Sequence, residues 1–212
     1  MPKSIKSILS HVPDPLLDGF HTYTWDAEGN PISISNYSTV TFDALDRQVE
    51  RTFNGGINQI DYGPWGERLG IMNGQTLSWG GRLELPGEGF AVYGSGPTLA
   101  GYTHPDWEGS LRVMSSSSAP TSVTADGALA PFGEYYSAGG NARPLFAQLP
   151  NDTYLDMGDG ASREYQTTQS RWISPDPAGM AAANPANPQP WNRYAYALNN
   201  PLAGKGVRSL FC

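Results

Sequence analysis

Thr22-Tyr23-Thr24-Trp25-Asp26-Ala27-Glu28-Gly29-Asn30-Pro31-Ile32-Ser33-Ile34-Ser35 alternates, reverses and alternates again. Alternation with period two puts every second side chain on one face, the pattern of a half-buried strand. Asp, Gly and Asn between the two runs supply the side-chain-to-backbone bonds and positive φ of a tight reversal. This stretch therefore encodes a β-hairpin. Its frame is an aromatic residue, a small or acidic residue, two variable positions, then a turn-former and a polar residue. The frame returns as Phe42-Asp43-x-x-Asp46-Arg47 after Thr39-Val40-Thr41, and as Tyr62-Gly63-x-x-Gly66-Glu67 after Gln59-Ile60-Asp61.

Asp26 and Asp43 lie 17 residues apart, Asp43 and Gly63 lie 20 apart, and Asp106-x-x-Gly109 follows 43 further on. A worn unit spans Leu83 to Tyr93, and a last frame, Ala130-x-x-Gly133-Glu134, has lost the leading aromatic and the Asp. A period of about 20 residues signals stacked supersecondary units, none able to bury its own apolar face alone. The plainer alternative is an ordinary antiparallel domain whose hairpins look alike because turn chemistry is limited. Either way the expected class is all-β, built of stacked antiparallel hairpins, with Tyr23, Trp25, Val40, Phe42, Ile60 and Tyr62 on one buried side.

Composition agrees. The 25 Gly and 18 Pro of 212 residues make up about a fifth of the chain, against about twelve per cent in an average protein. Only 16% of residues are charged, with a net charge of −7. That balance argues against nucleic acid or an anionic membrane as partner. No segment approaches the length of a membrane helix. The single cysteine, Cys212, excludes a disulfide framework within the chain. Residues 1–10 are basic but have no apolar stretch or small-residue cleavage site, so no general export signal is expected. Six Trp and eleven Tyr suit packed strand faces, or a surface that contacts glycan.

Several blocks follow the frames in order. They are His104-x-Asp106-x-x-Gly109-Ser110-x-Arg112, then Pro131-Phe132-Gly133-Glu134, then Arg163-x-Tyr165. Next come Arg171-Trp172-Ile173-Ser174-Pro175-Asp176-Pro177-x-Gly179 and Asn192-x-Tyr194-x-Tyr196-x-x-Asn199-Asn200-Pro201. In order and spacing they resemble the Rhs repeat-associated core, and the upstream frames resemble the YD repeats of the same proteins. The resemblance spans residues 20–201. It divides the chain into a lead-in (1–20), YD-type repeats that degenerate after residue 70 (21–101), the core (102–201) and an unrelated tail (202–212).

The resemblance implies a segment of a hollow β-cocoon ending in an inward-turned plug, in a bacterial secreted or cell-surface polymorphic-toxin protein. In such proteins the chain beyond the core is often an enclosed toxin. The expected partners are other YD-repeat segments or an upstream shell. Several members cut themselves just after the core with an aspartyl-protease-like pair. Arg163 and the first Asp-Pro-x-Gly at Asp176 match that pattern, but Leu202-Ala203-Gly204-Lys205-Gly206-Val207 stands where the second should be. Two carboxylates sharing a proton are needed for one to act as base while the other acts as acid. The expectation is a non-enzymatic segment, with Asp176 a turn residue held by Arg163. The short end beyond the core, too small for a folded domain, further suggests a truncated copy without cargo.

Other chemistry finds no support in the residues. His104 and Asp106 have no close second and third partners for zinc, and Asp156–Gly160 resembles a calcium loop without its alternating ligands. Gly94–Pro97 lacks the Lys of a phosphate loop, and Ser115–Ser118 has no nucleophile-elbow glycines. No cofactor is expected.

Overall fold

The computed structural model describes residues 21–35, 38–53, 55–79, 81–86, 89–94, 96, 98–140, 145–149, 157–160, 163–179 and 186–203. The proposed lead-in, and the tail from residue 204, lie outside the described residues. Sixteen strands are described, with short 3-10 turns at Thr167–Gln169, Gln189–Trp191 and Ala197–Asn199. The protein is all-β.

Strands β1 (Tyr23–Trp25), β2 (Pro31–Ile34), β3 (Ser38–Phe42), β4 (Gln48–Phe53), β5 (Gly56–Tyr62), β6 (Arg68–Asn73) and β7 (Thr76–Trp79) form an antiparallel sheet in chain order. Strands β8 (Gly81–Glu84), β9 (Phe90–Tyr93), β10 (Leu99–Pro105), β11 (Leu111–Ser116), β12 (Val123–Leu129) and β13 (Tyr135–Gly140) form a second. In such a meander every second connection falls on the same edge. In the first sheet the frame turns 26–29, 43–46 and 63–66 therefore share one edge. In the second, the turns at 106–109 and 130–133 likewise share one.

The frame turns close alike. Asp26 Oδ1 accepts the amides of Glu28 and Asn30, Asp43 Oδ1 those of Leu45 and Arg47, and Asp106 Oδ1 those of Glu108 and Ser110. The fourth turn residue has positive φ each time: Gly29 +89°, Asp46 +60°, Gly66 +82°, Gly109 +89° and Gly133 +89°. Glycine adopts that region without steric cost. At the third frame Gly63 replaces the Asp, and Glu67 takes over from the far end. Its carboxylate lies where a Gly63 side chain would begin and accepts the Trp65 amide at 3.0 Å.

Cross-strand partners point to the same face, so the register decides what is buried. Tyr23 opposes Ile34, and Val40 opposes Arg51. Ile60 opposes Ile71, and Tyr62 opposes Arg68. The six side chains expected to share a side do so. Tyr23, Val40 and Ile60 are buried, while Trp25, Phe42 and Tyr62, nearer the turns, are half-buried.

The two sheets meet where β7 gives way to β8. A side chain at Gly70 would begin 2.8 Å from Leu77 Cδ1 and 3.4 Å from Gly81 Cα, so glycine permits the close approach. A small third sheet, β14 (Met157–Asp159), β15 (Glu164–Gln166) and β16 (Arg171–Trp172), completes the fold. Met157 and Ile173 pack with Tyr23 and Ile34 of the first sheet. Tyr165 and Trp172 pack with Phe146, Ala147, Leu149 and Tyr196, against Leu129 and Phe132 of the second sheet and its turn. The small sheet thus joins the two large ones.

Candidate functional site: the core clamp

The blocks that were separate in sequence converge on this small sheet. Tyr165 is fully buried. Its ring centroid lies 4.8 Å from Tyr196, 5.4 Å from Trp172 and 5.5 Å from Phe146. Aromatic pairs at these separations add about 0.5–1.5 kcal/mol each beyond the area they bury. The Tyr165 hydroxyl donates to the Phe132 carbonyl at 2.9 Å. Burial, then the neighbouring Tyr196, pushes the Tyr165 phenol well above its ordinary pKa, so the hydroxyl keeps its proton as a donor. One side chain therefore ties the Arg-x-Tyr block to the Pro-Phe-Gly-Glu turn.

The His-x-Asp turn is tied in parallel. Its backbone closes on Asp106, whose Oδ2 pairs with Arg112 Nε at 2.7 Å. Ser110 Oγ accepts the Ala147 amide at 2.9 Å, and Leu111 N donates to the Leu145 carbonyl. Glu108 is buried, and the Tyr196 hydroxyl points at its Oε1, 3.5 Å away. Burial, and secondarily the charge of Asp106, raises the Glu108 carboxyl to about 7. His104 is exposed on β10 and its Nε2 meets Ser115 Oγ at 2.9 Å. Among the described residues no His, Cys, Asp and Glu group could hold a metal ion.

Residues 145–149 lie over both turns as a strap. Phe146 sits where a Gly133 side chain would begin, 2.5 Å away at its nearest atom, and Gln148 stands 2.8 Å from the same point at Gly109. Pro131 and Glu134 are exposed, Phe132 half-buried.

Arg163 and Asp176 lie side by side, Nη2 to Oδ2 at 3.3 Å, with side chains 6% and 8% exposed. The guanidinium also covers the Trp172 ring, 4.4 Å from its centroid. Asp176 Oδ1 accepts the Ala178 amide at 2.8 Å, and Gly179, at φ +58°, donates to the Asp176 carbonyl. This Asp-Pro-x-Gly turn copies the first half of a frame turn. Pro175 is half-buried and Pro177 exposed. The last block is stitched alongside. Trp172 N donates to Tyr194 O, Asp176 N to Arg193 O, and Arg193 Nη2 to Asp176 O. Arg171 is exposed and bridges to Ala195, Tyr194 is half-buried, Asn199 and Asn200 are exposed, and Pro201 is buried. Both Asp176 oxygens are engaged, one by a cation and one by the turn.

Beside the apolar contact, the small sheet also meets the first large one through polar groups. Arg68 Nη1 lies 3.4 Å from Asp159 Oδ2, both side chains 10% exposed. Ser38, Gln48 and Arg51 of the first sheet, and Glu164 and Gln166 of the small one, are buried as well. The Tyr62 hydroxyl donates to Gln48 O, and burial, with Asp159 next, raises its pKa above the ordinary range. Alternation in sequence assigns apolar residues to such a face, so nothing there signals these groups. Glu108 and the strap also escaped the sequence reading. Glu108 is a variable turn position and residues 145–149 have no periodicity. The one available signal was that Glu108 and Phe132 hold the same place in the frame.

Known structures share this fold. The chain superposes on the Photorhabdus luminescens Tc holotoxin pore carrying a TccC3 variant with a TM-score of 0.66, over 93% of this chain at 14% identity. TcdB2-TccC3 matches with a TM-score of 0.64 over 92% at 14% identity, and TcdB2-TccC3-Cdc42 with 0.66 over 92% at 14%. The fold is Rhs-like. In length the chain corresponds to 10% or 11% of those chains. No family model matches the sequence, and no curated protein does.

Proposed function

We propose that the chain is a non-catalytic wall-and-plug segment of an Rhs-type shell. The observation that carries the reading is the clamp. Tyr165 and Tyr196 reach from the core blocks to the third residues of two frame turns, and the strap roofs the glycines beside them. That arrangement fixes a plug to a wall of stacked hairpins, on a fold like that of the Tc-toxin proteins. Tyr23, Phe146, Tyr165, Trp172 and Tyr196 turn inward, as the packing of a wall and plug requires, while Trp65, Trp107, Tyr135, Tyr136 and Trp191 are exposed. Its partners are further YD-repeat segments, and the shell's place is the cell surface or the medium.

The test is to express the full reading frame in which this chain lies at its native locus and image the product by electron microscopy. A hollow shell closed at one end by this segment is the expected result. A small solid domain with no flanking repeats overturns the reading. The non-catalytic part is tested by intact mass. An aspartyl-type cut needs a second carboxylate to share a proton with Asp176, and the sequence has Leu202 to Val207 where it should fall, so the chain and its Asp176→Asn variant should have the same length. A cleaved product that disappears in Asp176→Asn overturns that part. The variant replaces the charged acceptor beside the buried Arg163 guanidinium with a neutral one, a loss of about 1–3 kcal/mol.

A further inference from the structure

The third residue of each frame turn is Glu28, Leu45, Trp65, Glu108 or Phe132. In the second sheet this is where the core docks. Glu108 is 7% exposed and receives the Tyr196 hydroxyl, and Phe132 packs on the aromatic cluster and receives that of Tyr165. The neighbouring glycines, Gly109 and Gly133, are roofed by the strap. In the first sheet the same place is exposed at all three turns, charged at Glu28 and apolar at Leu45 and Trp65. Leu45 is 68% exposed and Trp65 92%, and a side chain built at Gly66 would meet nothing within 4 Å.

Turn chemistry does not explain the indole. The 63–67 turn closes through backbone bonds and through Glu67 accepting the Trp65 amide, none of which uses the ring. A nearly fully exposed Trp beside an exposed Leu is costly for a surface that stays in water. The interface with the core already runs along this side as far as Arg68, which pairs with Asp159. Among the described residues that pair lies three residues from Trp65.

We infer that Leu45 and Trp65 continue that interface and receive an aromatic-bearing strap from a neighbouring YD-repeat segment, of the same chemistry as residues 145–149 here. For its partner the inference rests on the shell reading. The occupant's shape follows from the covered turns, where Phe146 lies over Gly133 and Gln148 over Gly109: an aromatic residue over one turn glycine and an amide side chain, two positions on, over the next. The strap binds by apolar contact with the tips and not by pairing with a strand edge.

The test titrates the full chain with a synthetic peptide of residues 142–151, which contains the strap sequence. The readouts are tryptophan emission and acrylamide quenching. A blue shift and loss of quenching that saturate with a Kd of about 1 mM or tighter, and vanish in a Leu45→Ser, Trp65→Ser double variant, support the inference. Both residues are exposed, so the double variant should fold, as its circular dichroism will report. No saturable change in the parent chain overturns the inference, as does an unchanged titration in the double variant. Failure here, with a closed shell seen by microscopy, removes only the docking surface. A saturable response without a shell removes the shell reading and leaves the surface standing.

Discussion

Single residues carry more of this fold than their places in the sequence suggest, and Glu108 is the clearest case. It sits at a variable turn position, yet it is buried with Asp106, Arg112 and Tyr196 as its charged and titratable neighbours. Its carboxyl titrates at about 7 in the folded chain, against an ordinary value of 4.5. Between those values the folded state holds a proton that the unfolded state has released. This group therefore adds stability as pH falls through about 7, and its contribution is complete below the ordinary value. Thermal or urea unfolding should show a gain of about 2–3 kcal/mol from this group between about pH 8 and pH 5. Glu108→Gln should flatten that slope and be the more stable chain at the alkaline end. A slope unchanged in Glu108→Gln would show that another group is responsible. The Asp43 carboxyl illustrates the opposite outcome. Desolvation pushes it up, but bonds from the Arg47 side chain and the Arg47 and Leu45 amides outweigh that and hold it below its ordinary value.

At the scale of the element, the hairpins were legible and their partners were not. Tyr23, Val40 and Ile60 fall on the buried face because alternation and a glycine- or aspartate-centred turn are local properties, readable within a dozen residues. The degenerate stretch after residue 70 does fold into short strands, β7 to β9. Where β7 gives way to β8, Gly70, Leu77 and Gly81 from different strands come together. The strap has no period at all, and its position over Gly109 and Gly133 is purely tertiary. This difference is measurable. Gly66 and Gly133 share a positive φ, +82° and +89°, so alanine at either is strained by about 1–2 kcal/mol. Only at Gly133 would the new methyl also strike Phe146, at 2.5 Å. Gly133→Ala should therefore cost at least about 1–3 kcal/mol more than Gly66→Ala, read as a difference in urea midpoints. Equal losses would mean that the strap does not hold its place over the turn.

If the whole molecule is the strip of wall with its plug proposed above, its behaviour alone should reflect that. Among the described residues the outer strands are β1 and β7 in the first sheet and β8 and β13 in the second. Outer strands usually resist pairing with other chains through charge. Here only 16% of residues are charged, and β1 is Tyr23-Thr24-Trp25, which has none. The bare Leu45 and Trp65 add apolar surface on an adjacent edge. The purified chain should therefore self-associate, increasingly so at high salt, where the repulsion of a net charge of −7 is screened. Size-exclusion chromatography with light scattering reads this directly. A concentration-dependent mass above 22.8 kDa, which falls when Thr24→Lys places a charge on β1, is the expected outcome. A sharp 22.8 kDa monomer that unfolds cooperatively would mean that the sheet edges are already protected. The chain would then be a finished domain and not a strip of wall.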